Sequence, residues 1–309
     1  MIRTVFSTSL PMGETMVVRK NHIEGPYRRG PRVVVATGIH GDELEGQFVA
    51  FELARTLLER ISDVHGTVDI YPALNPLGLS ANTHGVPNLD IGLDHSFPGD
   101  ADGSPTEALA AALLADMRGA AACVIVHSSA SVMQELPQVR IVEGGPRQLM
   151  RLATLLNMQL VWRRPAAPGA HATLPHALTE AGVPTLVVEM GSGMRISREH
   201  GTWMVDGICR LLEHLGIWTG PIIMSPPPIV TTGDDVADLV SETPGLFTPL
   251  SAHGTYVRHG EVIGRICDPM AGTVTQDVTS PISGLLFSLR VYPMVHPGSL
   301  LARVVEARR

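Results

Sequence analysis

Residues 33–46, VVVATGIHGDELEG, constrain the fold more than any other stretch of the chain. Val33, Val34 and Val35 form a β-branched apolar run suited to a buried strand. Thr37 and Gly38 end it, and residues 39–41 turn the chain. From Glu43 a helical pattern begins, with Leu44, Phe48, Phe51, Ala54 and Leu58 recurring every three or four residues to about Arg60. His40 and Glu43 therefore stand where a strand ends and a helix begins, which is where open α/β sheets bind ligands. An imidazole and a carboxylate placed there suit a catalytic zinc, which takes three protein ligands and keeps a fourth position for water. The same residues also suit a metal-free helix N-terminus, where Asp42 and Glu43 would meet the helix dipole. The pair alone leaves both readings open.

The alternation repeats downstream. Residues 68–74 (VDIYPAL) read as a second strand, and residues 75–104 as a long irregular segment rich in Gly, Pro, Asn and Asp; loops of that length inside a domain are usually functional. Residues 105–118 read as a helix with Ser104 as N-cap, Pro105 in its first position and Glu107 in its first turn. Residues 123–126 form an apolar strand ending at His127. A helix is expected over 146–157, an extended piece over 160–162, and a helix over 174–181 closed by Gly182 and Pro184. Residues 185–188 form a strand ending at Glu189, and a helix follows over 198–215. Strands alternating with helices predict an α/β fold, a mostly parallel sheet with helices on both faces.

Near Thr219 the grammar changes. Residues 220–228 (GPIIMSPPP) read as a linker, dividing the chain into an expected catalytic domain over 1–219 and a β-rich C-terminal domain over 220–309. In the latter, residues 258–266 (RHGEVIGRI) and 296–304 (HPGSLLARV) align without a gap, each placing a Gly turn before an apolar strand. This resembles the barrel-sandwich fold of biotinyl and lipoyl carriers. The turn that would carry the modified lysine has none, so the resemblance predicts a structural β domain, not a swinging arm.

Composition excludes several roles. A net charge of −7 argues against a general nucleic-acid surface. No apolar run is long enough to span a membrane, and the first residues read as a strand, not a signal peptide, so a cytoplasmic protein is expected. Cys123, Cys209 and Cys267 are far apart, lack metal-site spacing and read as buried thiols.

Three strand ends carry candidate groups: His40 with Glu43, His127, and Glu189. A parallel sheet brings them to one edge. His40, Glu43 and His127 then make a His2Glu zinc set, and Glu189 a general base toward the attacking water. Taken singly, His127 suits a satisfied strand-end histidine better and Glu189 a helix-capping carboxylate, and it is the joint arrangement that favours the metal. Around these residues, GIHGDE (38–43), NP (75–76), SFPG (96–99) and GVPTLVVEMG (182–191) resemble the succinylglutamate desuccinylase/aspartoacylase family of the zinc carboxypeptidase superfamily. The resemblance covers essentially the whole chain. It implies one Zn2+ per chain on His40, Glu43 and His127, Glu189 as general base, and hydrolysis of the amide bond of a small N-acylated compound. A homo-oligomer is expected.

The departures bear on the substrate. In the family, an arginine after Asn-Pro polarises the scissile carbonyl; the matching segment here offers His84. Further on the family reads Asp-Leu-Asn-Arg, whose Asn-Arg pair grips a substrate carboxylate; here residues 92–99 read GLDHSFPG and place Asp94 and His95 there. Arginine grips carboxylates bidentately and stays charged, which histidine does not do reliably. The usual carboxylate clamp is therefore missing, with Arg140, Arg163 and Arg164 as candidate substitutes and Arg140 the first choice. Asp94 and His95 also suit an Asx-turn and a solvent-facing loop. The expected activity is a deacylase with an atypical substrate loop. A peptidase-like metal hydrolase and a metal-binding homologue without turnover are the alternatives.

Overall fold

In the computed structural model, which describes residues 1–27, 30–87, 92–142, 147–165 and 169–306, the run at Val33–Val35 lies at the centre of a large mixed sheet. The chain enters through an antiparallel hairpin of β1 (Ile2–Ser9) and β2 (Thr15–Glu24), then passes β3 (Arg32–Thr37), α1 (Glu45–Glu59), β4 (Thr67–Tyr71), α2 (Pro76–Ala81), α3 (Pro105–Met117) and β5 (Ala122–Ser128). It continues through β6 (Met133–Val142), α4 (Arg147–Ala153), β7 (Leu160–Arg164), α5 (Leu174–Glu180), β8 (Thr185–Gly191) and α6 (Arg198–His214). The expected start of α4 at Pro146, and residues 88–91 of the long loop, lie outside the described residues.

Strands β4, β3, β5 and β8 are mutually parallel, as the alternation predicts. Helices cover both faces. On one face α1, α4 and α6 bury Val49, Leu53, Leu152, Met204 and Ile208 against Val33, Val35 and Val126. On the other, α3 and α5 bury Leu109, Leu113, Leu174 and Leu178 against Val34, Cys123 and Ile125. Val33, Val34 and Val35 are all fully buried, each contributing about 1.5–3 kcal/mol. This accounts for their continuous apolar run: a strand covered on both faces has no polar side. Helix α3 starts as the sequence predicts, with a capping box in which Ser104 Oγ accepts from Glu107 N–H while the Glu107 carboxylate accepts from Ser104 N–H.

Strand β6 is a finding without a counterpart in the sequence reading. It runs antiparallel to β8 and is irregular between Glu135 and Gln138, around Pro137. Its first residues pair with the C-terminal region, so the sheet does not stop at the catalytic part.

That region comprises β9 (Ile229–Thr231), β10 (Val236–Val240), β11 (Gly245–Pro249), β12 (Tyr256–Val257), β13 (Val262–Asp268), β14 (Thr273–Thr279), β15 (Gly284–Arg290), β16 (Met294–Val295) and β17 (Leu300–Glu306). A separate four-stranded antiparallel sheet, ordered β14-β13-β11-β16, packs against β15, β17 and β10, which prolong the main sheet beyond β6. Phe247, Ile263, Ile266, Leu286, Leu301 and Val304 fill the space between. The internal sequence similarity has a structural basis: Gly260 and Gly298 adopt φ of 77° and 84° in the turns before β13 and β17. Each donates its N–H to a serine carbonyl, Ser280 and Ser241 respectively.

Another polar cluster sits between β2, β3, β4 and α3. Lys20, the single lysine of the sequence, is buried with Nζ 3.0 Å from Asp69 and 2.6 Å from Asp116. Asp69 also pairs with His22 and Arg32. Cys123 and Cys209 are buried free thiols and Cys267 is half-exposed. Among the described residues no helix is long and apolar enough to cross a membrane.

Candidate metal and catalytic site

The turn after β3 lifts His40 and Glu43 above the sheet edge. Helix α1 begins only at Glu45, its N-cap residue Leu44 offers no side-chain bond, and the Glu45 N–H donates instead to Ser128 Oγ at 3.1 Å. Glu43 is therefore not a helix cap. Gly41 makes the turn possible: its backbone lies so close to Gly78 that a Cβ there would sit 2.0 Å from the Gly78 carbonyl carbon. The Gly41 N–H donates to the Thr83 carbonyl at 3.1 Å, which brings the loop carrying His84 over His40.

Glu43 is the hub. Its Oε1 lies 2.7 Å from His40 Nδ1 and its Oε2 2.9 Å from His127 Nδ1. Oε2 also accepts the Ser128 N–H at 3.1 Å, from the end of β5. The candidate ligand atoms of His40, Glu43 and His127 all lie within 4.8 Å of one another. Burial alone would lower the proton affinity of His40, but hydrogen bonds and charge from Asp94 and Glu43 push it up to about 10. Burial pushes Glu43 up, and the two histidines overcome it and hold Glu43 down at about 2. For His127 burial works downward and Glu43 and Glu189 upward, with a net rise. The three groups therefore draw positive charge to the point their Nδ1 and carboxylate atoms share. A divalent cation meets the same demand while displacing the imidazole protons. Two imidazole nitrogens and one carboxylate suit zinc, so the residues fit that metal.

The expected convergence of Glu189 holds in register, since His127 and Glu189 are paired neighbours on β5 and β8. Burial raises the Glu189 carboxyl, and Arg140 and His127 oppose the rise. Arg140 Nη1 stands 3.1 Å from Glu189 Oε1. Arg140 is thus tied to the candidate base, while its other end meets Glu135 at 2.8 Å.

The remaining candidates fall around this centre. The His84 ring stacks on His40 with centroids 3.8 Å apart and planes 16° off parallel. Its Nδ1 lies 3.0 Å from Asp42 Oδ1. With Nδ1–H donated to that carboxylate, Nε2 donates only in the imidazolium form. Asp94 Oδ2 lies 3.6 Å from His40 Nε2, the side of the ring turned away from Glu43. At that distance Asp94 acts on the ring chiefly through its charge. His95 is exposed beside a shallow 260 Å³ depression with Asp100 and Glu107. Among the described residues, no hydrogen bond or ion pair ties it to the His40 group. Arg164 stacks over Trp162 at 4.6 Å.

Three residues near the centre are given no role by the sequence. Glu45, almost fully buried, accepts the Ser197 N–H with both oxygens at 2.9 and 3.0 Å. Burial pushes its carboxyl up to about 7 against that bond. Gly191, two residues past Glu189, has φ of 67°, and a Cβ there would come 2.2 Å from Glu45 Oε1. Glu135 is a buried carboxylate on β6. Glu45 offered a signal, as an acidic residue at a predicted helix start; Glu135 offered none.

Comparison with known proteins bears on the fold and the family. The N-alpha-acetyl-L-2,4-diaminobutyric acid deacetylase of Halomonas elongata is 27% identical over 292 residues, covering 90% of this chain and 82% of that protein. A product-bound structure of an ectoine utilization protein from Ruegeria pomeroyi superimposes with TM-score 0.82 at 23% identity, covering 98% of this chain and 94% of the other. A succinylglutamate desuccinylase/aspartoacylase structure from Rhodobacter sphaeroides matches with TM-score 0.82 at 22% identity, over 100% and 96% of the two chains. These likenesses show a shared fold. Residues 29–215 match the model of the succinylglutamate desuccinylase/aspartoacylase catalytic domain, and they hold every group of the centre described above. The chain belongs to the succinylglutamate desuccinylase/aspartoacylase family.

Proposed function

We propose that this chain is a zinc-dependent deacylase that hydrolyses the amide bond of a small N-acylated compound whose amine part carries a positive or hydrogen-bonding group. The observation that carries this reading is the placing of His40 and His127 Nδ1 on the two oxygens of Glu43, with Glu189 on the adjoining strand. When bound, zinc supplies a Lewis acid that polarises the acyl carbonyl and acidifies water. Glu189 takes the proton of the attacking water and delivers it to the leaving nitrogen, so the C–N bond breaks with the amine neutral. Arg140 holds Glu189 Oε1 during both transfers. His84, held with Nδ1 3.0 Å from Asp42 Oδ1 and stacked on His40, is the side chain placed to face the oxygen on which negative charge develops. Asp94 places a carboxylate beside His40, which repels a substrate carboxylate and favours a cation.

The substrate reading draws support from the Halomonas relative, whose name specifies an N-acetylated diamino acid. The test is metal content together with kcat/KM on a panel. Nα-acetyl-2,4-diaminobutyrate should be cleaved better than N-acetylaspartate and N-succinylglutamate by protein holding about one zinc per chain. Preference for the dianionic compounds overturns the cationic assignment, and full activity in metal-stripped protein overturns the zinc assignment.

A further inference from the structure

A row of alternating charges runs sideways from the candidate base into the C-terminal region. Glu189 Oε1 meets Arg140 Nη1 at 3.1 Å, and Arg140 Nη2 meets Glu135 Oε2 at 2.8 Å. Glu135 Oε1 meets Arg303 Nη1 at 3.1 Å, and Arg303 Nε meets Asp238 Oδ1 at 3.0 Å. The sheet fixes this row. Glu135 on β6 stands opposite Ser288 on β15, Ser288 opposite Arg303 on β17, and Arg303 opposite Asp238 on β10. The irregularity around Pro137 turns Glu135 toward both neighbours. Gln138 Nε2 and Ser288 Oγ donate to the same carboxylate at 3.1 and 3.2 Å. The Arg303 guanidinium lies 5.4 Å from the Trp162 ring, which restricts its motion.

Charge counting shows what Arg303 does. Glu189 and Glu135 flank a single Arg140. With Arg303 in place, Glu135 has its own cation and Arg140 is free to serve Glu189. Without it, both carboxylates depend on Arg140 for a direct ion pair, since Arg164, stacked on the same Trp162 ring, pairs with neither, and Glu135, almost fully buried, has the stronger claim. We propose that Arg303, from the C-terminal strand β17, is a positioning residue for Glu189, acting through Glu135 and Arg140. The inference rests on the reading of Glu189 as general base.

The experiment uses the full-length zinc-loaded protein with Arg303→Met, which keeps the aliphatic packing on Trp162, and Arg303→Lys, which keeps the charge. Displacing a base by about 1 Å costs on the order of a hundredfold. Arg303→Met should therefore lower kcat by at least about tenfold, with KM, zinc content and melting temperature near wild type, and Arg303→Lys should recover part of the loss. Unchanged kcat in folded Arg303→Met overturns the proposal, as does a parallel loss of zinc, KM and melting temperature, which marks a merely structural role. Failure of the wild type on every N-acyl substrate overturns the functional reading instead. The positioning is then read from a crystal structure of Arg303→Met, where Arg140 Nη1 still 3.1 Å from Glu189 Oε1 refutes it.

Discussion

Replacing Glu189 with Gln separates catalysis from architecture. The amide keeps the shape and one oxygen to accept from Arg140 Nη1, and Arg140 keeps its 2.8 Å contact with Glu135. The stability cost is then at most that of one charge-assisted hydrogen bond, about 1.5–3 kcal/mol. A fold stable by about 5 kcal/mol that loses 2 kcal/mol remains more than about 99% folded, so unfolding cannot lower activity appreciably. Loss of a general base costs about a hundredfold to ten-thousandfold, or roughly 2.7–5.4 kcal/mol of barrier. Zinc content should not change, because Glu43, His40 and His127 are untouched. The assay is kcat at saturating substrate, with elemental analysis and thermal unfolding of the same preparation. A zinc-replete Glu189→Gln protein with kcat within a few-fold of wild type removes Glu189 from the mechanism.

Three further outcomes follow from other residues. His40→Ala and His127→Ala should each abolish tight zinc binding, and undiminished zinc in both sinks the ligand assignment. Asp94→Asn with His95→Arg should raise kcat/KM for dianionic N-acyl amino acids relative to cationic substrates; an unchanged ratio, with zinc retained, shows that this loop does not set specificity. Asp69→Asn should destabilise the fold by about 3 kcal/mol in urea unfolding, the low end for a buried pair because Lys20 keeps Asp116. Burial pushes the Asp69 carboxyl up, but Lys20, His22 and Arg32 hold it below its ordinary value. Its contribution is therefore present above about pH 4 and fades as pH falls through the lowered value, so the gap between wild type and variant should shrink in acid. A gap that widens on acidification refutes this.

The groups at the centre were legible because each one lies at or just past the C-terminal end of a buried strand. His40, His127 and Glu189 each follow an apolar run whose continuity reports burial on both faces, and a parallel sheet then sends them to one edge. Glu43 was legible as a partner of His40, and the helix start at Glu45 explains why its carboxylate is free to reach two histidines. Strand β6 was not legible. Its Glu135, Pro137, Gln138 and Arg140 look like loop residues, since Pro is rare in a central strand and charges are rarely buried. They are tolerated because Arg303, 168 residues later, neutralises Glu135. No local window contains both partners. The two-layer C-terminal region was visible through its repeated Gly turns, but its fusion to the main sheet depends on pairing of β15 with β6, which leaves no periodic trace.

That fusion limits how this protein can be taken apart or recombined. A chain cut in the linker before residue 229 would strip β15 from β6, exposing unpaired backbone N–H and C=O groups beside a buried carboxylate that had lost Arg303 and Ser288. Open edges of that kind invite pairing with other chains. The C-terminal region therefore does not behave as a detachable module. Grafting the catalytic portion onto another scaffold would require bringing β15 and β17 along, and a natural exchange of this region between relatives would succeed only as a unit with a compatible β6.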